Sequence, residues 1–166
     1  MKRALPLVLL AALAAGCASF DGRGLVAGQS TADEVERLMG PAADRRAGPA
    51  GETWLYYPRQ PAGRKTFVAR IAPDGTLIAL EQRLTDENIA KIMPQTTRGD
   101  EVRALLGPPY LVTRFPRLQR EAWEYHFRHF GDPGVPMALY VQLSPDGLVR
   151  EVYLIDEGTA ANRRSS

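Results

Sequence analysis

The chain has 166 residues, 45% of them hydrophobic, 24% charged and 8% aromatic, with 15 Gly and 13 Pro. These values fit one ordinary globular domain or two small ones; they exclude disorder and a coiled coil, and no unbroken apolar run of about 20 residues exists to cross a bilayer. One cysteine excludes an internal disulfide, one cysteine with two histidines offers no zinc set, and with Lys2 and Arg3 set aside 19 basic side chains balance 19 acidic ones, which argues against nucleic acid as a partner.

Met1-Lys2-Arg3 forms a short positive segment, and Ala4 to Ala15 is an apolar stretch of 12 residues, too short for a bilayer and the right length for a signal-peptide core. Ala14-Ala15-Gly16 then precede Cys17, and this resembles the bacterial lipobox, with Ala14 at the usual Leu position. The resemblance implies a diacylglyceryl thioether and an acylated amine on Cys17, an anchor that acyl chains at about 0.8 kcal/mol per buried CH₂ make effectively permanent. Ala18 stands where lipoproteins kept in the inner membrane usually carry Asp. By that resemblance the chain resides on the periplasmic face of the outer membrane.

After the linker, Ser30 is the expected N-cap of a helix whose Val35, Leu38 and Met39 share one face, and Gly40-Pro41 stops it. Trp54-Leu55-Tyr56 marks a strand, Phe67-Ala69-Ile71 the buried face of the next, and Leu77 to Gln82 follows the Asp74-Gly75 turn. Thr85 to Met93 is expected to be helical with Ile89, Ile92 and Met93 on one face, ended by Pro94. Thr97 is the expected cap of a further helix carrying Val102, Leu105 and Leu106, with Gly107-Pro108 as its stop. Trp123, Tyr125 and Phe127 alternate with Glu124, His126 and Arg128. Leu139-Val141-Leu143 and Val149 to Ile155 supply the last strands around the Asp146-Gly147 turn.

Those elements are one unit written twice. Residues 30–41 match 97–108 at a constant offset of 67, Trp54-Leu55-Tyr56 matches Trp123-Glu124-Tyr125 at 69, and Pro73-Asp74-Gly75 matches Pro145-Asp146-Gly147 at 72. The expected fold class is α+β, two tandem units, each of short helices packed on a three-stranded antiparallel sheet. The divisions are a signal peptide over 1–16, a lipidated N-terminus and linker over 17–27, units over 28–84 and 85–157, and a disordered tail over 158–166. One helix on three strands makes a thin core, so the units are expected to share an interface.

Gly28-Gln29-Ser30, Glu34-Val35, Leu38-Met39-Gly40 and Trp54-Leu55-Tyr56 resemble the pattern of the SmpA/OmlA family, the BamE-like outer-membrane lipoproteins. Residues 84–92, Glu101-Val102, Leu105-Leu106-Gly107-Pro108-Pro109 and Trp123-Glu124-Tyr125 repeat the resemblance, in a tandem form where a typical member carries one unit. It implies a binding or scaffold role in assembly of β-barrel proteins or in envelope integrity, with β-barrel assembly components or another envelope protein as partner. The tandem arrangement also resembles the β-lactamase inhibitory proteins, which implies the alternative of a periplasmic protein-binding or enzyme-inhibitory module.

Neither a Gly-rich phosphate loop nor a nucleophile elbow is present, so the expectation is a binding protein, not an enzyme, with no cofactor and no metal. His126 and His129, three apart on a strand, point to opposite faces and cannot readily share a ligand. The candidate binding surface is the sheet face turned away from the helices, carrying Glu124, His126 and Arg128 with Leu55 and Tyr57 at the matching places of the first unit. Arg114, Arg117 and Arg120, in a loop interleaved with Phe115 and Leu118, form a second candidate. Their expected contact is an acidic partner or anionic phospholipid, and phosphatidylglycerol contact in the family that the chain resembles points the same way.

Overall fold

The computed structural model describes residues 21–129 and 135–157. The signal peptide, Cys17 and the 158–166 tail lie outside these residues. The described chain runs α1 (Ala32–Met39), β1 (Asp44–Ala47), β2 (Thr53–Pro58), β3 (Thr66–Ile71), β4 (Leu77–Gln82), α2 (Asp86–Ile89), α3 (Gly99–Leu106), β5 (Leu111–Phe115), β6 (Arg120–Arg128), β7 (Pro136–Leu143) and β8 (Val149–Asp156), with a 3-10 turn at Pro116–Leu118.

The strands form two antiparallel four-stranded sheets, ordered β1-β2-β3-β4 and β5-β6-β7-β8. This overturns the expected class of three-stranded sheets carrying short helices, because strand dominates the described chain and each sheet has one strand more. The additional strands are β1, paired Asp44↔Tyr56 to Ala47↔Thr53, and β5, paired Leu111↔Glu124 to Phe115↔Arg120. Both are edge strands held by backbone hydrogen bonds, and their sequences, DRRA and LVTRF, lack the apolar alternation that announces a half-buried strand. The expected arginine loop is therefore a hairpin: Arg114 lies in β5, Arg117 in the 3-10 turn, and Arg120 opens β6.

The helix starts fall one residue later than the sequence suggests. Thr31, not Ser30, caps α1: its hydroxyl accepts from the Glu34 N–H at 3.3 Å while the Glu34 carboxylate accepts from the Thr31 N–H at 3.0 Å. Ser30 instead accepts from the Val26 N–H at 3.0 Å, and Thr97 likewise accepts from the Met93 N–H at 2.9 Å while α3 begins after Arg98. Ile89 and Ile92 are buried, but Met93, expected beside them, is 60% exposed because regular helix ends at Ile89.

Val35 and Met39 of α1 pack on Leu55, Tyr57, Ala69, Ile71 and Leu77 of the first sheet. Val102 and Leu106 of α3 pack on Trp123, Tyr125, Phe127, Leu139 and Val141 of the second, with Leu84, Ile89 and Ile92 closing the end. The sheets are not in the register implied by the tryptophan match. Thr53 pairs with Ile71 and Glu121 with Leu143, so Leu55, not Trp54, holds the place of Trp123. A slip of one residue turns every side chain to the opposite face. Trp54 thus points away from α1, half-buried, with its indole N–H donating to Glu52 at 2.9 Å and the Arg83 guanidinium 4.6 Å from its ring.

That other face of the first sheet is covered by α3. Tyr56, Thr66 and Val68 are fully buried there, and the Tyr56 hydroxyl donates to the Ala104 carbonyl at 3.1 Å. The first sheet is therefore covered on both faces, which is why Leu55, Tyr56 and Tyr57 are consecutive and all buried. Among the described residues, only the second sheet has a face without a helix.

Candidate functional site

The open face of the second sheet follows from strand register. Leu111, Glu124, Tyr140 and Tyr153 form one row across all four strands, and His126, Ala138 and Ile155 form the next. Leu111 and Ile155 are 48% and 38% exposed. The rings of Tyr140 and Tyr153 stack at 5.2 Å with 15° between planes. Burial, then the Glu124 carboxylate, raises the Tyr140 phenol above its ordinary pKa, so the hydroxyl stays protonated at neutral pH.

The surface expected from the sequence is only partly present. Tyr57 is a correction: it is 1% exposed and lies under α1, because the one-residue register difference puts Leu55 and Tyr57 on the helix side. Glu124 and His126 do lie on the helix-free face, but the β2–β3 loop of the first unit reaches His126 and its partner Glu157. His126 Nδ1 is 2.6 Å from Glu157, and Nε2 is 2.9 Å from Glu124, close enough for an ion pair but misaligned for a hydrogen bond. Arg64 grips Glu157 with two parallel bonds of 2.7 and 2.6 Å, and the Gln60 side chain accepts from the His126 backbone N–H. Tyr110 places its ring edge-on to the imidazole at 4.8 Å. Arg64 first, and His126 after it, hold the Glu157 carboxyl below its ordinary range against the opposing effect of burial.

This cluster is a clasp between units, with Arg64 of the first and His126 of the second both against the Glu157 carboxylate. Arg128, at the end of β6, is exposed. His129 turns to the other side and meets Asp86 of α2 at 2.9 Å, so the two histidines share nothing. Among the described residues, no group of three or more His, Cys, Asp or Glu side chains is placed to hold a metal ion.

Arg114 and Arg120 meet three arginines that sequence reasoning passed over. Arg46 of β1, Arg98 and Arg103 line the same cleft of about 670 Å³ at the start of α3. The five positions, from 46 to 120, are scattered over 75 residues of sequence, and the packing of α3 between the sheets gathers them. Arg117 is outside that lining.

No family model matches the chain. No curated protein matches it either. Among solved structures, a DUF4309 family protein, YjgB from Bacillus subtilis subsp. subtilis str. 168, is similar at 18% identity over 81% of this chain and 83% of that one, with a TM-score of 0.31. A likeness at that score supports no transfer of fold or function.

Proposed function

We propose that this protein is a lipid-anchored binding module on the periplasmic face of the bacterial outer membrane, offering the open face of its second sheet to another envelope protein. The anchor rests on the sequence: a short positive segment, a 12-residue apolar core, and small residues before Cys17. The observation that carries the binding role is the stacked Tyr140–Tyr153 pair, flanked by exposed Leu111 and Ile155. Aromatic rings with a polar tip, bordered by apolar side chains, suit protein recognition, since they give contact area at low entropic cost. Residues 17–26 span at most about 33 Å when extended, so the module works within that distance of the bilayer.

The resemblance to BamE-like lipoproteins makes β-barrel assembly components the first partners to test. Crosslinking in intact envelopes followed by capture of the tagged full chain is expected to recover them, and Leu111→Glu with Tyr153→Glu is expected to abolish recovery without altering the circular dichroism spectrum. Undiminished recovery by the double variant would remove the face from consideration. Recovery of a single periplasmic enzyme in place of assembly components would make the protein an inhibitor.

A further inference from the structure

We infer that the cleft at the start of α3 is a binding site for a small ligand with several clustered oxyanionic groups, phosphate or carboxylate. The site lies apart from the Tyr140–Tyr153 pair that carries the proposed function and stands or falls without it, although Phe115 and Arg120 of its lining belong by register to the same side of the sheet as Glu124. Its volume, about 670 Å³, lies in the range of small-molecule sites. Arg46 comes from the first unit, Arg98 and Arg103 from the start and middle of α3, and Arg114 and Arg120 from the β5–β6 hairpin. Asp100 and Glu121 are the acidic residues of the lining, so the five arginines outnumber the carboxylates by three.

The same excess appears when each guanidinium is followed to its partner. Arg46 pairs with Asp44 at 2.9 Å, and Arg114 lies 3.7 Å from Glu121. The other three are held by neutral groups. Arg98 donates to the Asp146 carbonyl at 2.6 Å, Arg120 to the Gln142 side chain at 3.2 Å, and Arg103 stacks 4.7 Å from the centre of the Trp123 ring. Each retains N–H groups that a planar oxyanion can take up in the two-point geometry of a guanidinium. Trp123, Leu143 and Phe115 add apolar wall, which lowers the local dielectric and strengthens such contacts.

The fold does not require these charges. Both eight-residue helices begin at the same offset of 67 and are tied to their sheets in the same way, Ala32 N–H to the Gly75 carbonyl and Gly99 N–H to the Gly147 carbonyl, each at 2.9 Å. Where α3 has Arg98 and Arg103, α1 has Thr31 and Glu36. A cap and a surface carboxylate serve the first helix, whereas the second concentrates like charges in a concave site, an arrangement that repels itself until an anion enters. An oxyanion ligand accounts for that difference.

The test uses the full mature chain in nonionic detergent, with Trp54→Phe so that Trp123 alone reports by fluorescence. Pyrophosphate and citrate are titrated separately at constant ionic strength, with calorimetry in parallel. A saturable one-to-one response to either is expected; a preference for pyrophosphate assigns the site to phosphates, and a preference for citrate to carboxylates. Arg98→Thr with Arg103→Glu, the residues α1 already carries, is expected to weaken binding about tenfold or more, as loss of a charge-assisted hydrogen bond does. Arg120→Gln, on the exposed hairpin, gives a second variant whose folding is not at risk, and it too is expected to weaken binding. A response that sodium chloride reproduces, equal binding by both variants, or binding confined to vesicles of anionic phosphodiester lipid would each overturn the site.

Discussion

The hydroxyls of Tyr56 and Tyr125 grip one end of α3 from opposite sides, Tyr56 donating to the Ala104 carbonyl and Tyr125 to the Gly107 carbonyl, both at 3.1 Å. Tyr56 belongs to the first sheet and Tyr125 to the second, so a single helix end joins the two units. Burial raises both phenols above their ordinary pKa, which keeps them protonated as donors throughout the neutral range. The last carbonyls of a helix have no partner within it, and here Tyr56 satisfies one of them while Tyr125 satisfies that of the capping Gly107.

Removing those donors measures the joint. Tyr125→Phe leaves a buried carbonyl without its donor and is expected to cost about 1–3 kcal/mol, while Tyr56→Phe is expected to cost about 0.5–1.5 kcal/mol. Urea unfolding of both single variants and the double variant closes a thermodynamic cycle. A coupling energy of zero would mean that the two hydroxyls act independently and that the helix end is not a shared joint.

Gly107 and Gly40 separate backbone strain from packing. Both end a helix in the left-handed half of conformational space, at φ of 83° and 85°. A Cβ on Gly107 would lie 2.7 Å from Thr66 Cγ2 and 3.0 Å from Tyr56 Cδ1, whereas one on Gly40 would meet nothing within 4 Å. Gly40→Ala is therefore expected to cost about 1–3 kcal/mol from strain alone, and Gly107→Ala to cost more, since the first sheet must move away from α3. Equal losses in thermal unfolding would show that the units are not in close contact there.

The tryptophans test the register. Trp123 is 6% exposed on the core side of its sheet, and Trp123→Ala is expected to cost about 3–5 kcal/mol. Trp54 lies half-buried on the opposite side of its own sheet, so Trp54→Ala is expected to cost distinctly less. Identical losses in denaturant midpoints would restore the face assignment implied by the sequence match.

The alternation of Trp123, Tyr125 and Phe127, and the Asp-Gly turns at 74–75 and 146–147, were legible in the sequence because core burial and tight turns each demand particular residues. β1 and β5 were not, since edge strands held by backbone bonds impose little on side chains. Trp54-Leu55-Tyr56 aligned persuasively with Trp123-Glu124-Tyr125, yet Glu-x-Trp-x-Tyr is compatible with either face once both are covered. The missed signal was the unbroken run Leu55-Tyr56-Tyr57, which has no polar residue to turn outward and so marks a strand covered on both sides. At the candidate site, sequence placed Glu124 and His126 on the helix-free face but contained no sign that Arg64, some 60 residues earlier, would reach them.

The Arg64–Glu157–His126 clasp makes the junction sensitive to acid. Glu157 has a pKa held below the ordinary carboxylate value by Arg64, with His126 as the second contributor and Glu124 facing the far side of the imidazole. A carboxyl whose folded pKa is depressed binds fewer protons folded than unfolded, so its contribution is fully present above the unfolded value of about 4.3 and disappears as pH falls through the folded one. Glu157→Gln removes the titration while keeping the shape. The wild-type chain is expected to exceed the variant in urea midpoint at about pH 5, with the gap closing steadily below about pH 4. Protonation also leaves Arg64, 17% exposed, without its carboxylate, so closure of the gap should coincide with increased protease cleavage in the β2–β3 loop. Parallel pH profiles for the two chains would show that the clasp contributes no acid sensitivity and that other carboxylates govern the transition.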